Sequence, residues 1–206
     1  MTLFDLLFLV CALATIVVVI RVPYLMLRGR TSDATRTAKR WAIGAGIYLV
    51  ALLATSIAQP GRTVAIGTPS CFDDFCIAID SSSRAPTIGP HKARGSFVIV
   101  SGRVISMMAG RRQRETDVRG VLRDDAGTRH EVSAAGQEAL RATGRAGSSL
   151  TDYVAPSGTN RFAVAYDVPA ASRSMDFIIA HGWFPGALII GGEQSLLHRP
   201  AVVRLP

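Results

Sequence analysis

The run CFDDFC, Cys71 to Cys76, holds the only two cysteines of the chain that lie close together, with Asp73 and Asp74 between them. Thiols and carboxylates at this spacing suit three chemistries: half of a metal site, a redox dithiol, or a structural disulfide. A structural zinc site presents Cys or His pairs about two to four residues apart, and presents them twice. Here the Cys pair is single, and the histidines stand alone at His91, His130, His181 and His198. His130, in the alternating run TRHEV, reads as the outward residue of a hairpin strand. His181 and His198 read as surface or hydrogen-bonded side chains. A metal-binding or metal-responsive domain using these His and Cys ligands is therefore the alternative reading. No metal ligand set and no cofactor is assigned.

Catalytic patterns are equally sparse. The sequence has no Gly-x-Ser-x-Gly elbow and no Ser-x-x-Lys pair. Gly191-Gly192 is followed by Glu193 and lacks the Lys-Ser/Thr that would hold phosphate and metal. The adjacent acids Asp73-Asp74 and Asp124-Asp125 would point to opposite faces of a strand, so they fit turns better than acid-base work. The expectation is a protein that is not an enzyme. Arg111 to Arg114, RRQR, reads as a solvated loop in preference to an anionic-ligand or lipid-headgroup site. Trp183, Phe184 and Pro185 form the candidate partner-binding loop, with capping of one end of the core as the competing assignment.

Which chemistry CFDDFC performs depends on the compartment, and that depends on the elements before it. Apolar residues make up 49% of the chain, and they are concentrated near its start. Leu6 to Ile20 carries no charge, and with its flanks it reaches the roughly 20 residues needed to span a bilayer. A second uncharged run, Trp41 to Ala58, ends at Pro60-Gly61. Transmembrane helices are expected at about 3–27 and 41–58, joined by a basic loop at 28–40. A cleaved signal peptide would need a positive start and a small-residue cleavage site, and neither is present. Cys11 lacks the small residues that precede a lipid-modified cysteine, so it reads as an apolar helix residue. Ala42 and Gly46 could let the two helices pack closely.

Arg21, Arg28, Arg30, Arg36, Lys39 and Arg40, against Asp33 alone, mark the connecting segment as cytoplasmic. Trp41 then suits an interface anchor. Everything after Pro60 lies on the other side, which gives a bacterial inner-membrane protein with residues 61–206 in the periplasm. More than half of the net charge of +8 sits in the connecting segment, and the rest is scattered among acids. An exported domain with that pattern is not expected to bind nucleic acid.

The exported part reads as mostly β. TVAIG at 63–67 and CIAID at 76–80 are short strands, and 81–95 is a loop by its Ser, Pro and Gly content. SFVIVSGRVISMM is a long strand with a bulge at Gly102. DVRGVLRDDAGTRHEV is a hairpin. SAAGQEALR is the one helix, capped by Ser133. NRFAVAYDVP, SMDFIIAHGW, GALIIGG and AVVRL complete a sandwich.

The order SFVIVSGRV, VLRDDAGTRHEV, helical loop, YVAPSGTNRFAVAYDVPAASRSMDFII resembles the telokin-like, immunoglobulin-like extracytoplasmic family of unknown function. The Asp124 to Gly127 hairpin and the strand end Tyr166-Asp167-Val168-Pro169 carry the resemblance, which covers about residues 63–205. The Pro-Gly turn departs from that pattern as Pro156-Ser157-Gly158, and the usual Asn at the end of the first long strand is missing. The resemblance implies an immunoglobulin-like sandwich on a membrane anchor or lipid tether and implies no reaction. The whole chain is thus expected as two N-terminal transmembrane α-helices, residues 1–60, followed by an all-β immunoglobulin-like sandwich with one short helix, residues 61–206. It would serve as a binding or scaffolding module of the cell envelope, with an envelope protein as partner.

In an oxidising compartment the close pair Cys71 and Cys76 becomes a disulfide. On an extended strand the two would stand roughly 17 Å apart, too far to bridge, so the chain must turn between them. Asp73-Asp74 supplies that turn.

Overall fold

A computed structural model describes residues 3–72, 74–180, 186–190, 195–197 and 199–206. The chain forms two compact units, one of residues 1–61 with 183–199 and one of residues 62–182 with 200–206.

In the first unit α1 (Leu3–Leu27) and α2 (Thr31–Ala58) are both long and apolar enough to cross a membrane. The second helix begins ten residues before the expected position, so the basic stretch 31–40 is helix and not loop. TSDATRTAKR contains no Gly or Pro and several good helix formers, which explains the extension. The reversal is confined to Arg28–Arg30. Gly29, at φ +73°, donates to the Met26 carbonyl and Arg30 donates to the Leu25 carbonyl. This is the Schellman closure that a left-handed glycine permits.

Trp41 lies ten residues inside α2 rather than at its start, and its indole N–H donates to Thr15 Oγ1 on α1 at 3.2 Å. Ala42 and Gly46 do not mediate helix packing. Both are exposed, and a Cβ on Gly46 would meet nothing within 4 Å. The expected strand GALIIGG is, over its described residues, a 3-10 turn at Gly186–Leu188, where Ile189 N–H closes locally on the Gly186 carbonyl. The Leu188 carbonyl accepts the Tyr48 hydroxyl of α2.

The second unit is a two-sheet β-sandwich. Its strands are β1 (Thr63–Val64), β2 (Ser70–Phe72), β3 (Phe75–Ile88), β4 (His91–Ser106), β5 (Arg119–Asp124), β6 (Arg129–His130), β7 (Thr159–Val168), β8 (Met175–Ala180) and β9 (Val202–Leu205), with helix α3 (Ala134–Ala142) before β7. One sheet runs β1-β9-β8-β5-β6 and the other β2-β3-β4-β7. Val98, Val100, Val164 and Tyr166 of the four-stranded sheet meet Leu122, Met175, Phe177 and Val203 of the five-stranded one. On the reverse face, Phe97, Ile99, Ala163 and Ala165 pack with Ala139 and Leu140 of α3. Burial on both faces explains why FVIV in β4 is a continuous apolar run and not an alternating one.

Two strand expectations are corrected. Residues 81–88, read as loop, extend β3 and pair along β4 as far as Ile88 with His91. A bulge at Asp80 interrupts that pairing, and the register shifts again between Ala85 and Thr87, where Pro86 cannot donate to the ladder. Gly102 is not bulged; it pairs with Ile79 on one side and Phe162 on the other. A Cβ there would sit 2.4 Å from the Ala78 carbonyl oxygen and 2.8 Å from the Phe162 ring, so the glycine admits close neighbours.

Strand β7 lies at a sheet edge, and its polar backbone is not left open. Gln137 of α3 donates to the Ala163 carbonyl and accepts from Ala165 N–H, Ser133 N–H donates to the Ala165 carbonyl, and Ala163 N–H donates to Ala146. One helix and its flanks thus close the edge against strand addition. Ser133 caps α3 as expected, its Oγ accepting from Gly136 N–H at 3.2 Å.

Candidate functional site

Cys71 and Cys76 stand directly opposite each other in the β2-β3 hairpin, Cα atoms 3.9 Å apart, and form a disulfide. Asp74 belongs to the turn between them and Asp73 lies outside the described residues. In this state neither sulfur is a thiolate ligand. His91, at the β3-β4 turn, is separated from Cys76 by the length of β3, roughly 40 Å at strand rise. Among the described residues no three His, Cys, Asp or Glu side chains gather as a metal-holding group. His181 and His198, and the loop Trp183, Phe184 and Pro185, lie outside the described residues.

His130 differs from expectation. It does not face solvent but is largely buried, its Nε2 2.9 Å from Asp124 Oδ2, whose side chain is 4% exposed. Asp124 Oδ1 also accepts Thr128 N–H at 2.8 Å. The hydrogen bond from His130 holds the Asp124 carboxyl below the usual carboxylate range; partial burial opposes this, and the Thr128 N–H reinforces it. The expected Asp-x-x-Gly turn is present, Gly127 N–H donating to the Asp124 carbonyl at 3.0 Å. The pair therefore locks the hairpin and its side chains point away from bulk water. Nearby, Asp176 on β8 takes Arg123 at 2.7 Å and Arg204 at 3.6 Å, tying three adjacent strands of one sheet.

Two polar side chains of the strand end Tyr166-Asp167-Val168-Pro169, which in the sequence carry only the resemblance, fix the sandwich. Tyr166 of β7 crosses the core and donates to the Gly120 carbonyl of the opposite sheet at 2.9 Å, its ring edge-on to Phe177 at 6.2 Å. Burial pushes its phenol well above the usual value. Asp167 accepts the N–H groups of Arg94 and Gly95 at 2.9 and 3.2 Å, fixing the start of β4.

The RRQR stretch is more ordered than a solvated loop. Gln113 pairs with Val154 in both directions, at 3.1 and 2.8 Å, and its side chain donates to the Asp74 carbonyl at 3.2 Å. Arg112 and Arg114 flank it and both lie over the Tyr153 ring, 4.8 and 5.0 Å from the centroid. The clustered arginines were visible in sequence. Their aromatic seat, some forty residues downstream, was not.

No protein-family model matches the sequence, and no curated protein matches it. Solved structures similar to it include a conserved hypothetical protein from Bacillus anthracis, 12% identical, covering 56% of this chain and 88% of its own at a TM-score of 0.46. An uncharacterized β-sandwich protein from Clostridium difficile is 9% identical and covers 72% of this chain and 96% of its own at 0.45. A secreted protein from Mycobacterium tuberculosis is 11% identical and covers 72% and 98% at 0.46.

Proposed function

We propose that the chain is a two-pass protein of a bacterial inner membrane that holds an immunoglobulin-like, telokin-like sandwich in the periplasm as a non-enzymatic binding or scaffolding module. The observation that carries this reading is the helical hairpin, whose apolar side chains face outward along both helices instead of being covered by protein. Side chains of that kind suit a hydrocarbon surrounding, and the backbone of a helix needs no partner there. The basic residues Arg28, Arg30, Arg36, Lys39 and Arg40, at the turn and the start of α2, favour a cytoplasmic turn. The Cys71–Cys76 disulfide supports an oxidising location for the sandwich.

Protease added to spheroplasts of an expressing bacterium is expected to remove the sandwich and leave an α1-α2 fragment in the membrane. Full protection until the membrane is dissolved would refute the orientation. Trp183, Phe184 and Pro185 are the proposed contact for an envelope partner. Trp183→Ala with Phe184→Ala is expected to remove bands from a cross-linked, affinity-purified sample, and an unchanged profile would dismiss that contact.

A further inference from the structure

We propose that Arg112, Arg114 and Tyr153 form a binding site for a phosphate-bearing anion. The backbone pairing of Gln113 with Val154 sets the geometry, because residues on either side of a paired strand residue project to the opposite face. Gln113 turns inward, its amide within 3.4 Å of Ser106 Oγ, and the two arginines turn outward onto the exposed Tyr153 ring. Asn160 donates to the Tyr153 carbonyl at 3.1 Å, and the adjacent Val154 is buried, so the ring is anchored at its backbone.

Two guanidinium groups within 5 Å of one ring centroid lie no more than about 10 Å from each other, which is about one Debye length at 0.1 M salt. Among the described residues no carboxylate comes within ion-pair distance of Arg111, Arg112 or Arg114. The ring attracts each cation but cannot neutralise either. An anion that meets both forks removes the repulsion, and phosphate offers enough acceptor oxygens for two planar, bidentate donors. Two chemical sources fit: a lipid headgroup and a free phosphate. Met107, 62% exposed and joined through the Asp74 carbonyl to Gln113, places an apolar side chain close to this stretch, as a site at a lipid surface would use.

The test uses the full chain in neutral dodecyl maltoside micelles, titrated calorimetrically with dihexanoyl phosphatidylglycerol, dihexanoyl phosphatidylcholine and inorganic phosphate. Saturable binding is expected, weakened about tenfold or more in Arg112→Gln/Arg114→Gln, because charge-assisted hydrogen bonds are lost. Tyr153→Ala is expected to weaken it about threefold to tenfold while leaving the charge intact. Arg145→Gln, an exposed arginine elsewhere on the sandwich, serves as the charge control. Tighter binding of phosphatidylglycerol than of inorganic phosphate assigns the site to a headgroup, and the reverse order assigns it to a soluble anion. Absence of saturable binding, or equal weakening by the Arg145 control, overturns the proposal.

Discussion

On α1, Val10, Leu13, Ile16, Val17 and Ile20 are each more than half exposed, whereas on β4 Phe97, Val98, Ile99 and Val100 are each 3% exposed or less. The residue types are nearly the same, and the difference lies in the backbone. A helix satisfies its own N–H and C=O groups and can turn every side chain outward. A strand must borrow partners on both edges, so β4 reaches its full pairing only inside a sheet between β3 and β7. The apolar side chains of β4 are covered by protein, and those of α1 are not.

The largest effect expected from this contrast comes from placing a polar group in each region. Val100→Asp buries an unpaired carboxylate and is expected to remove about 4 kcal/mol or more from the sandwich, read as loss of cooperative unfolding by denaturant in detergent-solubilised full chain. Ile16→Asn should shift the same transition by less than about 0.5 kcal/mol. A comparable loss from both would erase the distinction between the two regions.

A smaller effect concerns how the sandwich is stapled. Cys71→Ser/Cys76→Ser is expected to cost about 2 kcal/mol, as the chain-entropy estimate gives for so short a loop. The midpoint of the same denaturant curve reports it, and reductant should reproduce it on the wild type. If reductant leaves the curve in place, the staple adds nothing to the folded state.

The smallest effect is the pH response of the Asp124–His130 pair. Because folding holds the Asp124 carboxyl below its ordinary range, its contribution is complete above the unfolded value of about 3.9 and disappears as the pH falls through the lower folded value. Wild-type stability should therefore decline below about pH 4 more steeply than that of Asp124→Asn, which loses the contribution at every pH. Parallel curves for the two proteins would show that the carboxylate does not act through its charge.

Local signals were readable in the sequence where the chemistry was local. CFDDFC announced its own turn, the Asp124 to Gly127 hairpin carried its own capping groups, and Ser133 stood where a helix cap belongs. What the sequence hid were features decided by distant partners. The stretch SSSRAPTI looks like a loop because its residues are polar, yet β4 pairs along it and makes it strand. The charges of 28–40 drew the helix boundary ten residues late, whereas the reversal itself is made at Gly29, at φ +73°. The short apolar run at 186–190 has no period that distinguishes strand from turn. At the surface, RRQR was conspicuous while Tyr153, which orders it, was an ordinary residue of a polar stretch.

A helical hairpin embedded in the membrane with an exported, oxidised sandwich beyond it is an arrangement that one labelling experiment tests. In a Cys11→Ser background, spheroplasts carrying the full chain are treated with a membrane-impermeant maleimide, with and without prior exposure to reductant. No label is expected without reductant and at least one per chain after it, at the exposed Cys71, added from outside. Free thiols at Cys71 and Cys76 without reductant, or labelling that appears only once the membrane is dissolved, would contradict it.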